Sequence, residues 1–389
     1  MKVVHIGFRY GTLNSGGAAI AASRLHLAML ERGVESHYVC VHKLEDGPNV
    51  HVLPVGALWR RLYLFLTRLS RVVWRFSLLR KPISINIIPL FGLERLIRRI
   101  NPDVVHVHWI NADVCTFGQL ARLKGRLVLN LHDLYWLKGP FLLPHDIGQE
   151  GLLGRWLARR RNRLIQTKQP VFIGPSKWVC SEIRNSAVCN QCKVATISNI
   201  VGSEFGFYDR KKINAKFTML FGAFGGRWNS FKGWSDCERS LRLLSQEVRA
   251  GSVVNVIGET AQDCEVDGLK VHFLGEILDV KMLVDVYNHT DILLFPSVQE
   301  TQGIMKIEAM LCGVPVIAFD RAACAEGIVH KKNGWIAHDG NLDEFAKGIE
   351  WYYNTYRCGS IRRKAIASSA VAVYNADCIV KEIIATYTV

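Results

Sequence analysis

The chain predicts an α/β protein built as two doubly wound domains, on three observations. Strand-like apolar runs alternate with helical patterns almost throughout, as in parallel sheets covered by helices. That alternation breaks over residues 200–215 into a polar, charged connection ending in DRKKINAK, and then starts afresh. At 389 residues the chain exceeds the size at which a single core stops growing.

The elements follow in order. Residues 3–8 read as a first buried strand, followed by a glycine-containing loop and a helix over 18–32 that Gly33 ends. Residues 36–41 give the next strand. Asn101-Pro102-Asp103 leads into another at 104–108, and 127–131 and 171–173 complete a first sheet. The second series is 217–221, 253–257, 271–274, 292–295 and 314–319, and the tail from 377 to 388 is helical. The expected division is 1–205 for the first domain and 206–374 for the second.

Composition narrows the class. A chain that is 49% hydrophobic and 21% charged is globular, and no uncharged apolar run reaches the eighteen or so residues of a membrane span. The N-terminal MKVVHIGFRYG lacks the h-region and cleavage site of a signal peptide. Eleven scattered cysteines fit reduced thiols in a cytosol. Cys189-x-x-Cys192, with Cys180 nearby, is the one close pair. No second pair stands at zinc-ligand spacing, so plain thiols are favoured and no metal or cofactor is expected.

The net charge of +15 implies an anionic partner. In ALWRRLYLFLTRLSRVVWRFSLLR, at 100° per residue, Arg60, Arg61, Arg68, Arg71 and Arg75 fall on one arc, with Trp59, Phe65 and Phe76 opposite. Such a helix suits an anionic membrane surface; a surface helix packed on the sheet with its arginines in water is the equal alternative. RWLARRRNR (155–163) could extend the basic face. Neither cluster forms a nucleic-acid module, so no nucleic-acid partner is expected.

The segment PSVQETQGIMKIEAMLCGVPVIAF (296–319) carries the most chemistry. Glu300 and Glu308 have seven residues between them, and a helix from about Gly303 puts Glu300 on the preceding loop and Glu308 beyond the first turn. An anion against the helix N-terminus, flanked by carboxylates that accept from hydroxyls, describes a nucleotide-sugar. FGAFGGRWNSFKGW places Arg227 and Lys232 in a glycine-rich loop after a strand, where two cations suit a diphosphate. Gly16 and Gly17 precede the first helix, with Asn14 and Ser15 as polar neighbours. His132-Asp133 ends a strand. His106 and His108 alternate with valines and are expected to face one layer each, as structural or acceptor-side groups.

Taken in order, GGA, DVVHVH, HD, PSKW, R-x4-K and E-x7-E resemble the landmarks of retaining glycosyltransferase family 4, of bacterial surface-polysaccharide type, over nearly the whole chain. The opening Glu300-Thr301-Gln302-Gly303 stands where the family commonly has E-G-F-G. The resemblance implies a GT-B fold, two Rossmann-like domains with the active site in the cleft between them, and a tail (375–389) that crosses back onto the first. It implies donor contacts from Gly16, Gly17, Arg227, Lys232, Gln302, Gly303 and Ile304. Glu300 would hold the sugar, Glu308 the ribose, and His132 would sit beside the reaction centre. Asn14, His108 and Asp133 fall on the acceptor side.

The expected activity is metal-independent transfer from a nucleoside-diphosphate sugar to a lipid-linked glycan. The location implied is cytoplasmic, peripheral on the inner face of the cell membrane if the basic helix docks. A soluble small-molecule acceptor, a sugar-nucleotide epimerase, a phosphorylase and a non-catalytic polyanion binder are the rivals.

Overall fold

The structure is a computed structural model that describes residues 1–12, 15–53, 61, 65, 86, 89–110, 114–138, 152–209, 215–222, 225–359 and 362–388. The chain divides into two compact units, Met1–Ile200 with Ala376–Val389, and Val201–Asn375.

The first unit is a seven-stranded sheet of β1 (Lys2–Ile6), β2 (Glu35–Cys40), β3 (Val50–Val52), β4 (Val104–Val107), β5 (Arg126–Asn130), β6 (Val171–Gly174) and β7 (Val194–Thr196). Its order is β3-β2-β1-β4-β5-β6-β7, and every pairing is parallel. β4 and β6 are buried at every position because helices cover both faces, which is why they read as unbroken apolar runs. Helix α1 (Gly17–Glu31) follows β1, and α2 (Leu152–Lys168) carries the second basic cluster.

The second unit repeats the plan. β8 (Phe217–Gly222) is followed by α3 (Trp234–Arg242), then β9 (Ser252–Ile257), β10 (Cys264–Val266), β11 (Leu269–Gly275) and β12 (Ile292–Phe295). Then come α4 (Ile304–Leu311), β13 (Val316–Phe319), β14 (Gly334–Ala337), α5 (Leu342–Arg357) and α6 (Arg363–Val373). The sheet order is β10-β11-β9-β8-β12-β13-β14, parallel except for the β10/β11 hairpin. β13 starts at Val316, two residues later than expected, because Pro315 has no N–H to give the ladder.

The last helix, α7 (Ala376–Thr388), completes the first unit. Ile379, Val380, Ile383 and Tyr387 pack with Val3, Leu25 and Val104. Tyr387 Oη lies 2.6 Å from His106 Nδ1, and Arg32 pairs with Asp377.

Of the arginines expected on a membrane-facing helix, Arg60, Arg68, Arg71 and Arg75 lie outside the described residues. Arg61 and Phe65 are helical and exposed. In α2, Arg160 stacks 4.4 Å over the exposed ring of Trp156, and Arg161 is buried. Among the described residues no helix is long and apolar enough to cross a membrane.

Candidate active site

In an open parallel sheet, ligands bind beyond the carboxyl ends of the strands where the strand order reverses. In the second unit that point lies between β8 and β12, and the residues singled out in the sequence follow these two strands. After β8, two short 3-10 turns, Gly226–Trp228 and Ser230–Lys232, carry Arg227 and Lys232 to the start of α3. Gly233, at φ 71°, ends the second turn; a Cβ there would collide with the Pro296 carbonyl. That close approach brings the two loops together, and Lys232 Nζ donates to Glu300 Oε1 over 2.6 Å.

Arg227 has a partner that the motif does not announce. Its backbone N–H, Nε and Nη2 donate to the Glu259 carboxylate at 2.8, 3.2 and 3.0 Å, and its guanidinium lies 4.3 Å over the Phe273 ring. The Arg227 side chain holds the Glu259 carboxyl below its ordinary range, and Glu259 in turn raises the arginine.

Gly303 precedes α4 at φ 81°, and a Cβ on it would meet the Phe295 ring at 2.6 Å. No side chain caps this helix, so the amides starting at Ile304 keep the character of an anion site. Gln302 is buried before it. Glu308, in the second turn, is also buried and accepts from Tyr287 Oη at 3.1 Å. Lys306, 1% exposed, donates to the carbonyls of Ala323, Cys324 and Glu326 at 2.9, 2.9 and 2.6 Å. Burial pulls it down to about 8. It ties α4 to the loop that follows β13, whose Ala323 N–H reaches the Glu300 carbonyl at 3.4 Å.

In the first unit the strand order reverses between β1 and β4. Gly16, at φ 90°, precedes α1 without a side-chain cap, and the space beside both Gly16 and Gly17 is open. Asn14 lies outside the described residues. Ser15 Oγ donates to the Gly11 carbonyl at 2.6 Å. Asp133 accepts from Trp109 Nε1 at 2.8 Å and from the Tyr135 amide at 2.9 Å, so it organises the turn after β5.

The histidines correct one expectation. His106 and His108 do not divide between the layers, because side chains two apart on a strand share a face. Their rings stack with centroids 4.3 Å apart. His5, paired with His106 across β1 and β4, joins them: His5 Nδ1 lies 2.9 Å from His108 Nε2, and His108 Nδ1 lies 3.2 Å from His132 Nε2. Burial holds His5 and His108 well below the ordinary imidazole value, His106 at about 3 and His132 at about 4.

Among the described residues, His5, His106 and His108 form the one set of possible metal ligands, with nitrogens within 4.8 Å of one another. It contains no carboxylate or thiolate to offset a divalent charge in a dry core, and its closest contact is at hydrogen-bond distance. Cys189 and Cys192 belong to no such set, and no disulfide joins any of the eleven cysteines.

The structure therefore brings Lys232, Glu300, Gly303, Ile304 and Glu308 to neighbouring strand ends in one unit, and His108 and His132 to those of the other. Glu259, Tyr287, Lys306 and His5 were missed. A carboxylate directly after a strand (Gly258-Glu259) and a lysine inside an apolar helix were the available signals for two of them.

Residues 15–205 match the family described as Glycosyltransferase Family 4, and residues 221–355 match Glycosyl transferases group 1. An uncharacterized glycosyltransferase of Methanocaldococcus jannaschii is 30% identical over 125 residues, covering 31% of this chain and 30% of that relative. The capsular polysaccharide biosynthesis glycosyltransferase CapM of Staphylococcus aureus is 22% identical over 71% of this chain and 82% of its own length. Sucrose-phosphate synthase of Thermosynechococcus elongatus superposes with a TM-score of 0.71 at 14% identity, over 100% of this chain and 98% of that one. Anabaena HepE in complex with UDP-glucose superposes with a TM-score of 0.66 at 16% identity, over 100% and 99%. The chain belongs to the family 4 glycosyltransferases and has their GT-B fold, two Rossmann-like domains in one chain.

Proposed function

We propose that this chain is a retaining, metal-independent glycosyltransferase that moves a sugar from a nucleoside diphosphate to an acceptor hydroxyl. The acceptor in this reading is a lipid-linked glycan of surface-polysaccharide synthesis. The observation that carries it is the 2.6 Å contact of Lys232 with Glu300 where the strand order of the second sheet reverses, beside the uncapped N-terminus of α4. A diphosphate at that terminus receives backbone N–H groups and the Lys232 ammonium as it leaves. Glu300 orients the sugar, and the buried Glu308 carboxylate accepts from the ribose hydroxyls. His132 donates to the sugar. Retention follows from front-face attack, with a donor phosphate oxygen taking the acceptor proton. The UDP-glucose held by the Anabaena neighbour supports a nucleotide-sugar donor. CapM's capsular role and the net charge of +15 support a lipid-linked acceptor at an anionic membrane surface.

The test is a thermal-shift panel of UDP, GDP, ADP and CMP with their sugar conjugates, without added metal. A ligand at about a hundred times its Kd adds roughly 2.7 kcal/mol of stability. One nucleotide is expected to stabilise the protein, and Glu308→Ala to lose that shift. The donor so found is then offered lipid-linked and soluble glycosides. Stabilisation by oligonucleotides alone, lost in high salt, would replace this reading with a polyanion binder.

A further inference from the structure

We propose that Asn130, His108 and His5 are positioning residues that hold His132 as the tautomer with its proton on Nδ1, so that His132 meets a ligand as a hydrogen-bond donor and not as a base. The use of that donor rests on the glycosyl-transfer reading above; its existence does not.

The polarity of the chain follows from one end. Asn130, the last residue of β5, aims its amide nitrogen at His132 Nε2 over 3.0 Å, and the same nitrogen lies 3.5 Å from Asn199 Oδ1. An amide nitrogen only donates, so His132 Nε2 is an acceptor and the ring proton is on Nδ1. His108 Nδ1, 3.2 Å from that same Nε2, must then be a donor, which leaves His108 Nε2 as a lone pair. This lone pair faces His5 Nδ1 at 2.9 Å, so His5 donates and its own Nε2 is bare. His5 Nε2 is buried with no hydrogen-bond partner among the described residues, as is Nε2 of the neighbouring His106, which stands outside this relay.

The opposite polarity would turn Asn130 over and leave an N–H, instead of a lone pair, buried and unused at His5. Folded proteins avoid orphaned donors more strongly than orphaned acceptors. A protonated ring would donate from both nitrogens and break the sequence, and burial disfavours the charge at all three sites. The stack of His106 on His108, at 4.3 Å, and the contact of His106 with Tyr387 fix the plane of the middle ring. The chain thus runs from two buried imidazoles to His132, which keeps partial solvent access at the strand end.

Long-range 15N–1H spectra of the full chain, labelled at histidine and recorded at neutral pH without substrate, read each tautomer directly. His5, His108 and His132 are expected as Nδ1–H forms, with His132 assigned by its loss in His132→Gln. In Asn130→Asp the carboxylate accepts from Nε2 and moves the His132 proton there. Sugar transfer is then expected to fall on the order of 10²-fold. A wild-type His132 protonated on Nε2 overturns the proposal, and so does an Asn130→Asp protein that turns over normally with the tautomer moved. Should Asn130→Asp fail to fold, the wild-type spectrum still decides the tautomer. The expected spectrum in a protein that transfers no sugar leaves the tautomer standing and removes the transferase reading instead.

Discussion

At the residue scale, Lys232 and Glu300 are each other's ligand. Their side chains are 28% and 15% exposed, and an ion pair with that much solvent contributes at most about 1 kcal/mol to stability. What the contact does is set the direction of two side chains at a helix terminus. Lys232→Met is therefore expected to lower turnover on the order of 10²–10³-fold, as loss of one charge-stabilising donor does, while the melting temperature barely moves. Steady-state rates and a melting curve on the same preparation check this, and near-normal turnover would remove Lys232 from the site. Both residues were legible, because a cation in a glycine-rich loop and a carboxylate before a helix carry their chemistry on their face. The partners of Lys306 and Glu259 were not. The carbonyls that hold Lys306 lie 17 to 20 residues downstream, and the arginine that meets Glu259 lies 32 residues upstream; no local pattern encodes either meeting.

At the element scale, apolar runs found the central strands well, since burial on both faces writes itself into composition. The edge strands β3, β7, β10 and β14 are short or half-exposed and carry no such signature. His106 of β4 and His108 just past its end depart from the expectation of one per layer, because alternation with valine at a period of two means one face. Helix α7 shows how much one element can matter. Ile379, Val380, Ile383 and Tyr387 are all at most 5% exposed, and burying such side chains contributes about 1.5–3 kcal/mol each. Their sum rivals the whole 5–15 kcal/mol or so of a typical domain. A chain ending at residue 375 is expected to lose the cooperative melting of the first unit and to bind apolar dyes; calorimetry with two undiminished transitions would refute it.

At the scale of the whole molecule, the buried and half-buried histidines set an acid limit. His26 is held at about 4, His132 at about 4 and His106 at about 3, all below the ordinary 6.5. A lowered folded value means that the contribution is complete above pH 6.5 and is lost as pH falls through 4 to 3. The lowering of His26 alone is worth roughly 3 kcal/mol when fully expressed. The melting transition of the first unit is expected to fall steadily from pH 6.5 to 4, ahead of the second. A transition flat over that range, followed by calorimetry, would show that these imidazoles find compensation in the acid form.

The return of α7 to the first unit also has a consequence for how the protein is made. Residues 376–388 supply part of a wall for a core that begins at Val3, so the first unit leaves the ribosome unfinished. It waits while residues 201–375 are added, which at about 5–20 residues per second takes on the order of ten to thirty-five seconds. During that interval Leu25, Val104 and Ile173 lack their cover, and the second unit is the first in a position to fold to completion. The order of synthesis and the order of folding are thereby reversed, and the unfinished half is the one a nascent-chain chaperone would meet.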